Sequence, residues 1–280
     1  MHSDLVAMTL KAAVLGSPIS HSLSPTLHRA AYTALGLDID YTAIDTPTEM
    51  LAQRIAILDD NSLGYSLTMP LKRDVLALVE HQSRLVHQTG CANTVFRNGQ
   101  QYWALENTDV FGIVQTIKNA GLGPLQSASI IGSGATASSA LSALAQMEVG
   151  EVICHARSET AFPLLRSQSE LLGVNFQSVI LVNKMTIAGD IVISTVPSSA
   201  QKQIIGMIDT DQGNSTLLDI AYNPWPSDLA KYWTSHQLGS VLSGVEMLLW
   251  QACAQVELFT GAAAPVEAMR AALPSEFSTA

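Results

Sequence analysis

Ala128-Ser129-Ile130-Ile131-Gly132-Ser133-Gly134-Ala135-Thr136-Ala137 decides how this chain is read, because an apolar strand, a glycine turn and the start of an Ala-rich helix follow one another without a break. In such a turn Gly132 permits a sharp reversal, Gly134 lets the backbone approach a pyrophosphate, and small Ala137 lets the helix pack closely on its strand. The free N–H groups of the helix start, around Ser133, Ala135 and Thr136, then face the phosphates. A glycine pattern alone also fits a purely structural turn; its setting between an apolar strand and an Ala/Leu-rich helix favours a dinucleotide site.

Downstream the same rhythm continues, with strands expected at Ala128 to Ile131, Glu151 to His155, Ser178 to Val182, Asp190 to Thr195, Thr216 to Ile220 and Ser240 to Leu242. Separated by helical or loop stretches, they form a doubly wound α/β pattern. From Gly244 the sequence turns helical, with Val245, Leu248, Leu249, Ala252, Val256 and Phe259 as one apolar stripe. Upstream, Ala12 to Gly16, Tyr41 to Ile44 and Leu63 to Thr68 read as strands, with helices over 25 to 35 and 48 to 58 between them. Pro70 stops the third strand, and Arg97-Asn98-Gly99-Gln100 reads as a hairpin turn. The expectation is two α/β domains. Residues 1–109 with 245–280 bind substrate, 110–244 form a Rossmann-type nucleotide-binding domain, and the C-terminal helices return to the first.

Composition fits this picture: of 280 residues, 48% are apolar and 14% charged, enough for two cores. The net charge of −10 opposes binding to phosphate backbones, and no basic block or zinc spacing occurs, so neither nucleic acid nor a metal is expected. Cys91, Cys154 and Cys253 are too dispersed for a disulfide framework. The first ten residues lack a signal-peptide pattern and no apolar run is long enough to span a bilayer, so a cytoplasmic protein is expected.

Where an NAD site usually carries an acidic residue, this chain has His155-Ala156-Arg157-Ser158, which favours NADP. Arg157 can hold a 2′-phosphate with its planar fork while Ser158 adds a hydroxyl; a solvated surface arginine is the alternative. Thr195 and Val196 close another strand at the same edge and suit the nicotinamide side, although such a loop equally fits plain surface, and Gly244 is assigned to the cofactor site as well. In the first domain Ser22, Ser24, Thr68, Lys72, Asn93 and Asp109 form a polar set that folding does not require. Hydroxyls, an amide and a lysine suit a polyhydroxylated acid, although Ser24, Asn93 and Asn107 to Asp109 also fit caps or turns. A lysine and an aspartate beside a dinucleotide supply what hydride transfer to a carbonyl needs, since negative charge develops on the ketone oxygen. A paired aspartate favours the charged ammonium, so Lys72 reads as a stabiliser of that charge rather than a free base.

Gly16-Ser17-Pro18-Ile19 with His21-Ser22-Leu23-Ser24-Pro25 and His28 resembles the opening signature of shikimate dehydrogenases. Thr68-Met69-Pro70-Leu71-Lys72, Ala92-Asn93-Thr94, Asn107-Thr108-Asp109, Gly132-Ser133-Gly134, Asp219 to Pro224 and Gly244 to Gln251 match motifs of that family in order. The resemblance covers the chain from about Ala12 to Gly261 and implies reversible NADPH-dependent reduction of 3-dehydroshikimate to shikimate, on the way to chorismate and the aromatic amino acids. It implies Lys72 and Asp109 as catalytic residues, and Ser22, Ser24, Thr68, Asn93, Asp109 and Gln251 as substrate contacts; Ser66 and Tyr222 are further candidates, Tyr222 equally fitting a core ring. Ser66 stands where the family usually has asparagine, and Arg29, Val110 and Ala156 also depart from its commonest pattern. Ser66 lacks the amide donor, which removes one substrate hydrogen bond or routes it through water. The Ser-x-Thr-Met-Pro form, together with Gln255 to Gly261, resembles one subgroup. Alternatives are a quinate or amino-shikimate dehydrogenase of the same family, or a non-catalytic NADP or metabolite sensor. A monomer and a homodimer are both compatible with the sequence.

Overall fold

The computed structural model describes residues 9–182, 185–209 and 214–277. In chain order β1 (Leu10–Gly16), α1 (Ser24–Leu35), β2 (Ile39–Asp45), α2 (Thr48–Ala56), β3 (Ser62–Leu67), β4 (His81–Gln82), α3 (Arg84–Thr89), β5 (Thr94–Arg97) and β6 (Trp103–Glu106) come first. Then follow α4 (Thr108–Asn119), β7 (Ser127–Ile131), α5 (Ala135–Gln146), β8 (Glu151–Ala156), α6 (Pro163–Leu172), β9 (Asn175–Ile180) and β10 (Ile191–Ser194). Last are α7 (Ser198–Ile205), β11 (Thr216–Asp219), α8 (Asp228–Ser235), β12 (Val241–Ser243), α9 (Gly244–Thr260) and α10 (Val266–Ala271).

Local chemistry sets many of these limits. Pro25 pre-sets the first turn of α1, and Gly36, left-handed at φ 67°, ends it. The side chain of Asn107 accepts from the Asp109 N–H and caps α4, and Ser227 caps α8 through the Ala230 N–H. The hairpin differs from expectation: five residues, 98 to 102, join β5 to β6. There Asn98 Oδ1 accepts from the N–H groups of Gln100 and Tyr102, and the left-handed residue is Gln101 rather than Gly99. The third strand of the second sheet starts at Asn175, earlier than expected, because it lies at the sheet edge and alternates in exposure instead of forming an apolar run. The short elements β4 and α3 carry little periodicity and were not foreseeable from it.

The chain forms two sheets. One has the order β2-β1-β3-β5-β6-β4, parallel through β2, β1 and β3 and antiparallel through β3, β5 and β6. The other, β12-β11-β10-β7-β8-β9, is parallel throughout, with the order reversing between β7 and β10. That is the doubly wound arrangement expected of the second domain. Its strands are buried on both faces: Ile130, Ile191, Ile193 and Leu218 enter one core, while Ile131, Val192 and Leu217 enter the other beside Trp233. Near-continuous apolar strands follow from this double burial.

Among the described residues, 9–83, 92–106 and 252–273 form one compact unit; 84–91, 107–251 and 274–277 form the second. This partition differs from the expected crossings at 109/110 and 244/245 for physical reasons. Asn107 Nδ2 donates to Thr89 Oγ1 (3.0 Å) and to Ser139 Oγ (3.0 Å), tying α3 to α5. The first half of α9 lies against α4, where a Cβ on Gly112 would stand 2.7 Å from the Met247 carbonyl oxygen and 3.0 Å from Gln251 Cβ. Residues 1–8 and 278–280 of the expected first domain lie outside the described residues.

Gly244 opens α9 against the end of β11, where an added Cβ would meet the Ile220 carbonyl oxygen at 2.2 Å. Backbone cannot yield there as a flexible side chain would, so Gly244→Ala is expected to cost about 2–3 kcal/mol. A urea midpoint within error of the parent, measured in parallel, would contradict this packing.

Candidate active site

In the second unit the reversal of strand order puts the loops after β7 and β10 side by side at the carboxyl edge of the sheet. Gly132 has φ +114°, and a Cβ on it would stand 2.3 Å from Thr195 Oγ1 and 3.4 Å from Val196 Cγ1. Thr195 donates to the Ile131 carbonyl from both its N–H (2.8 Å) and its hydroxyl (3.0 Å), while the Gly132 N–H reaches the His155 carbonyl (2.8 Å). Gly134 is the extended residue before α5, and a Cβ there would meet nothing within 4 Å. That open space in front of a helix N-terminus, with Ser133, Ala135 and Thr136 half-buried around it and Ala137 fully buried beneath, fits a pyrophosphate. Gly244 owes its missing side chain to the Ile220 carbonyl, which explains the glycine without a ligand.

Beyond β8, Arg157 and Ser158 are exposed. Ser158 caps a short turn, its hydroxyl accepting from the Thr160 N–H (3.3 Å) and bonded to Thr160 Oγ1 (2.8 Å). Glu159, the acid beside this pair, is bound by Arg166 at 2.6 Å. His155 is buried behind the turn with Nε2 on Ser129 Oγ (3.3 Å), and burial lowers its pKa to about 4. The Ser129 hydroxyl donates to the Ala188 carbonyl (2.6 Å), so Nε2 carries a proton and donates to Ser129. Asp219 ends β11 fully buried, receiving Gln201 Nε2 (2.8 Å), the Ser227 hydroxyl and the Ala221 N–H (3.3 Å). Burial pushes its carboxyl above the usual range against the pull of those donors. It anchors the loop that carries half-buried Tyr222.

Asp109 lies in the first turn of α4, buried, with its N–H capped by Asn107. Gly112 follows three residues later on the same helical face, and it is against Gly112 that Gln251 packs. Gln251 Nε2 donates to the Leu248 carbonyl of its own helix at 2.8 Å.

In the first unit the loops after β1 and β3 meet at the same sheet edge. A Cβ on Gly16 would stand 2.3 Å from Thr68 Cγ2, and the Ser17 N–H donates to the Met69 carbonyl (3.0 Å). Thr68 closes a turn by accepting from the Leu71 N–H (2.9 Å), and Lys72 follows it. The Lys72 carbonyl accepts from the Ala92 N–H (2.8 Å) and the Asn93 carbonyl from the Leu67 N–H (2.7 Å), so Thr68, Lys72 and Asn93 come together. Ser22 and Ser24 lie on the neighbouring loop, the Ser22 hydroxyl accepting from the Ser24 N–H at 3.3 Å. Ser24 starts α1 and is buried.

Ser66, expected as a further substrate contact, has its hydroxyl engaged by protein groups. It is buried, accepting from the Tyr41 hydroxyl (2.7 Å) and donating to Gln255 Oε1 (2.8 Å). Gln255 in turn donates to Thr94 Oγ1 (3.0 Å) and to the Asn93 carbonyl (3.2 Å), and Thr94 donates to Asn93 Oδ1 (2.8 Å). His28 Nε2 also reaches Gln255 Oε1 (3.2 Å), its Nδ1 meets the Tyr32 hydroxyl (3.0 Å), and its ring stacks on Tyr41 at 4.0 Å. Burial lowers the His28 pKa to about 3, outweighing the bond to Gln255. Sequence reasoning missed Thr94, Tyr41 and Gln255. A signal was present: Gln251 and Gln255 stand four apart on a helix whose buried face is otherwise apolar. Among the described residues, no cluster of His, Cys, Asp and Glu could hold a metal, and no helix is long and apolar enough to cross a membrane.

A family model described as the shikimate dehydrogenase substrate binding domain matches residues 14–95, and one described as the shikimate 5'-dehydrogenase C-terminal domain matches 244–273. The chain is similar to a crystal structure of a shikimate 5-dehydrogenase from Mycobacterium fortuitum, at 37% identity and TM-score 0.80, covering 96% of this chain and 100% of that one. It is 29% identical to the shikimate dehydrogenase (NADP(+)) of Microcystis aeruginosa, over 94% of this chain and 96% of that one. It also resembles shikimate 5-dehydrogenase from Thermus thermophilus in complex with NADP(H) and shikimate, at 26% identity and TM-score 0.77, covering 94% of this chain and 100% of that one.

The state of His28 has a pH consequence. An unfolded imidazole titrates near 6.5 and the buried one near about 3, so between these values the unfolded chain binds the extra proton. The stability that His28 preserves is therefore complete above 6.5 and declines as the pH falls toward about 3. Urea midpoints taken from about pH 7 to about pH 4 should fall less steeply for His28→Asn than for the parent, by up to one proton in slope. Parallel slopes would contradict the neutral, buried imidazole.

Proposed function

The chain belongs to the shikimate dehydrogenase family, and from that premise we propose that it catalyses the reversible NADPH-dependent reduction of 3-dehydroshikimate to shikimate. The observation that carries the reading is Lys72, held on the turn after β3 by the Ala92 N–H and so beside Asn93, in a chain that also has the β7 glycine turn with open space before α5. NADPH, when bound, supplies the hydride to the ketone carbon. The chain's own residues do the rest. The Lys72 ammonium hydrogen-bonds the ketone oxygen as negative charge develops there, which is where a fixed donor lowers the barrier most. Asp109 orients the ammonium and a neighbouring substrate hydroxyl; only Asn107 and Thr108 separate it from the end of β6. Ser22, Ser24, Thr68, Asn93 and Gln251 hold the hydroxyls and the carboxylate, and Tyr222 borders the ring.

On the cofactor side the loop Gly132 to Thr136 takes the pyrophosphate, and Thr195 and Val196 line the nicotinamide. Arg157 and Ser158 bind the 2′-phosphate, a reading supported by the pairing of Glu159 with Arg166, which neutralises the nearest acid. The proposal includes a cytoplasmic monomer or homodimer that binds neither nucleic acid nor membrane, in keeping with a net charge of −10.

Two substitutions test these roles. Lys72→Ala should lower kcat by at least about tenfold, roughly 1.4 kcal/mol of barrier, with folding intact; a smaller loss would remove Lys72 from the chemistry. Arg157→Ala should raise the KM for NADP+ by about tenfold or more and leave that for NAD+ nearly unchanged, as expected on losing a charge-assisted phosphate contact. Equal effects on both cofactors would contradict the assignment.

A further inference from the structure

The buried polar cluster under β3 and β5 has only one consistent arrangement of its protons. Gln255 Nε2 faces two acceptors, the Asn93 carbonyl at 3.2 Å and Thr94 Oγ1 at 3.0 Å, so its amide nitrogen is fixed on that side and Oε1 on the other. Oε1 can only accept, so Ser66 (2.8 Å) and His28 Nε2 (3.2 Å) both donate to it. Ser66, having given its proton to Gln255, accepts from the Tyr41 hydroxyl (2.7 Å), and His28 Nδ1 accepts from the Tyr32 hydroxyl (3.0 Å). Thr94, accepting from Gln255, has its own proton left for Asn93 Oδ1 at 2.8 Å. With Oδ1 held there, the Asn93 carboxamide cannot turn over, and its Nδ2 must lie on the other branch.

We propose that Gln255 is a positioning residue for substrate recognition, fixing through Thr94 which edge of the Asn93 carboxamide is presented. The inference rests on the reading of Asn93 as a substrate contact and adds the element that sets its direction. It also accounts for Ser66. Gln255 sits within hydrogen-bond distance of the Ser66 hydroxyl, so an asparagine at 66, one carbon longer, would run into the Gln255 carboxamide. The short side chain at 66 and the long one at 255 thus form one unit. Its members come from β3, from the start of β5 and from the C-terminal half of α9, so α9 acts on the substrate side through Thr94 and Asn93.

The test uses the full chain with Gln255→Met, similar in length but unable to hydrogen-bond, and Thr94→Val, which keeps shape and deletes the hydroxyl that joins Gln255 to Asn93. The side-chain amide resonances of Asn93, identified by their loss in Asn93→Ala, should shift in both variants. The KM for shikimate should rise by about tenfold in both, the size expected for one misdirected hydrogen bond, while kcat and the KM for NADP+ stay within about twofold. Added to Asn93→Ala, either change should raise the KM no further. Unmoved Asn93 resonances, effects additive with Asn93→Ala, or equal losses toward both substrates would overturn the inference. Should Gln255→Met fail to fold, Thr94→Val decides alone. If the parent protein turned over no shikimate, the functional reading would fall, and the Asn93 resonances would still decide whether Gln255 and Thr94 orient that amide.

Discussion

Parallel pairing is the constraint on which the rest depends. Strands that run the same way deliver the loops that follow them to one edge, and in both sheets the candidate ligand contacts leave that edge. In the second sheet the order reverses between β7 and β10, so their following loops approach until only a glycine fits: a side chain on Gly132 would overlap Thr195. In the first sheet β1 and β3 are neighbours, and the same crowding recurs between Gly16 and Thr68. Each glycine allows two loops to close on one another, and that closure brings the polar residues beside them to the sheet edge.

A second layer supports the first. Asn107, Asp219 and Gln255 are buried, each uses its polar atoms several times over, and each ties together segments distant in sequence. Asn107 joins α3, α4 and α5; Asp219 joins the end of β11 to α7 and α8 through Gln201 and Ser227; Gln255 joins β3, β5 and α1. Buried polar groups are tolerable only when so satisfied, and a satisfied network has few alternative arrangements. That is why these residues can hold neighbouring loops to one geometry.

Much of this was legible in the sequence. The glycine turn, the strand rhythm of the nucleotide-binding half and the polar residues of the first half declare themselves because period, turn chemistry and residue type agree there. The edges were less legible. β9 alternates because it is half-exposed, and β4 and α3 are too short to show a period. The register of Gln255 against Ser66 is a tertiary fact: no local pattern says that a helix near the C-terminus will bring an amide to a strand 189 residues earlier. Residue type alone therefore marks Ser66 as a polar group of the site and says nothing of the buried cluster that engages its hydroxyl.

The most direct measurement of the central claim is the initial rate of NADPH formation by the purified protein with shikimate and NADP+, compared with quinate and with NAD+ under the same conditions. The account predicts turnover of shikimate with NADP+ well above the other three combinations. Binding of the nucleotide without turnover of shikimate or quinate with either cofactor would contradict it.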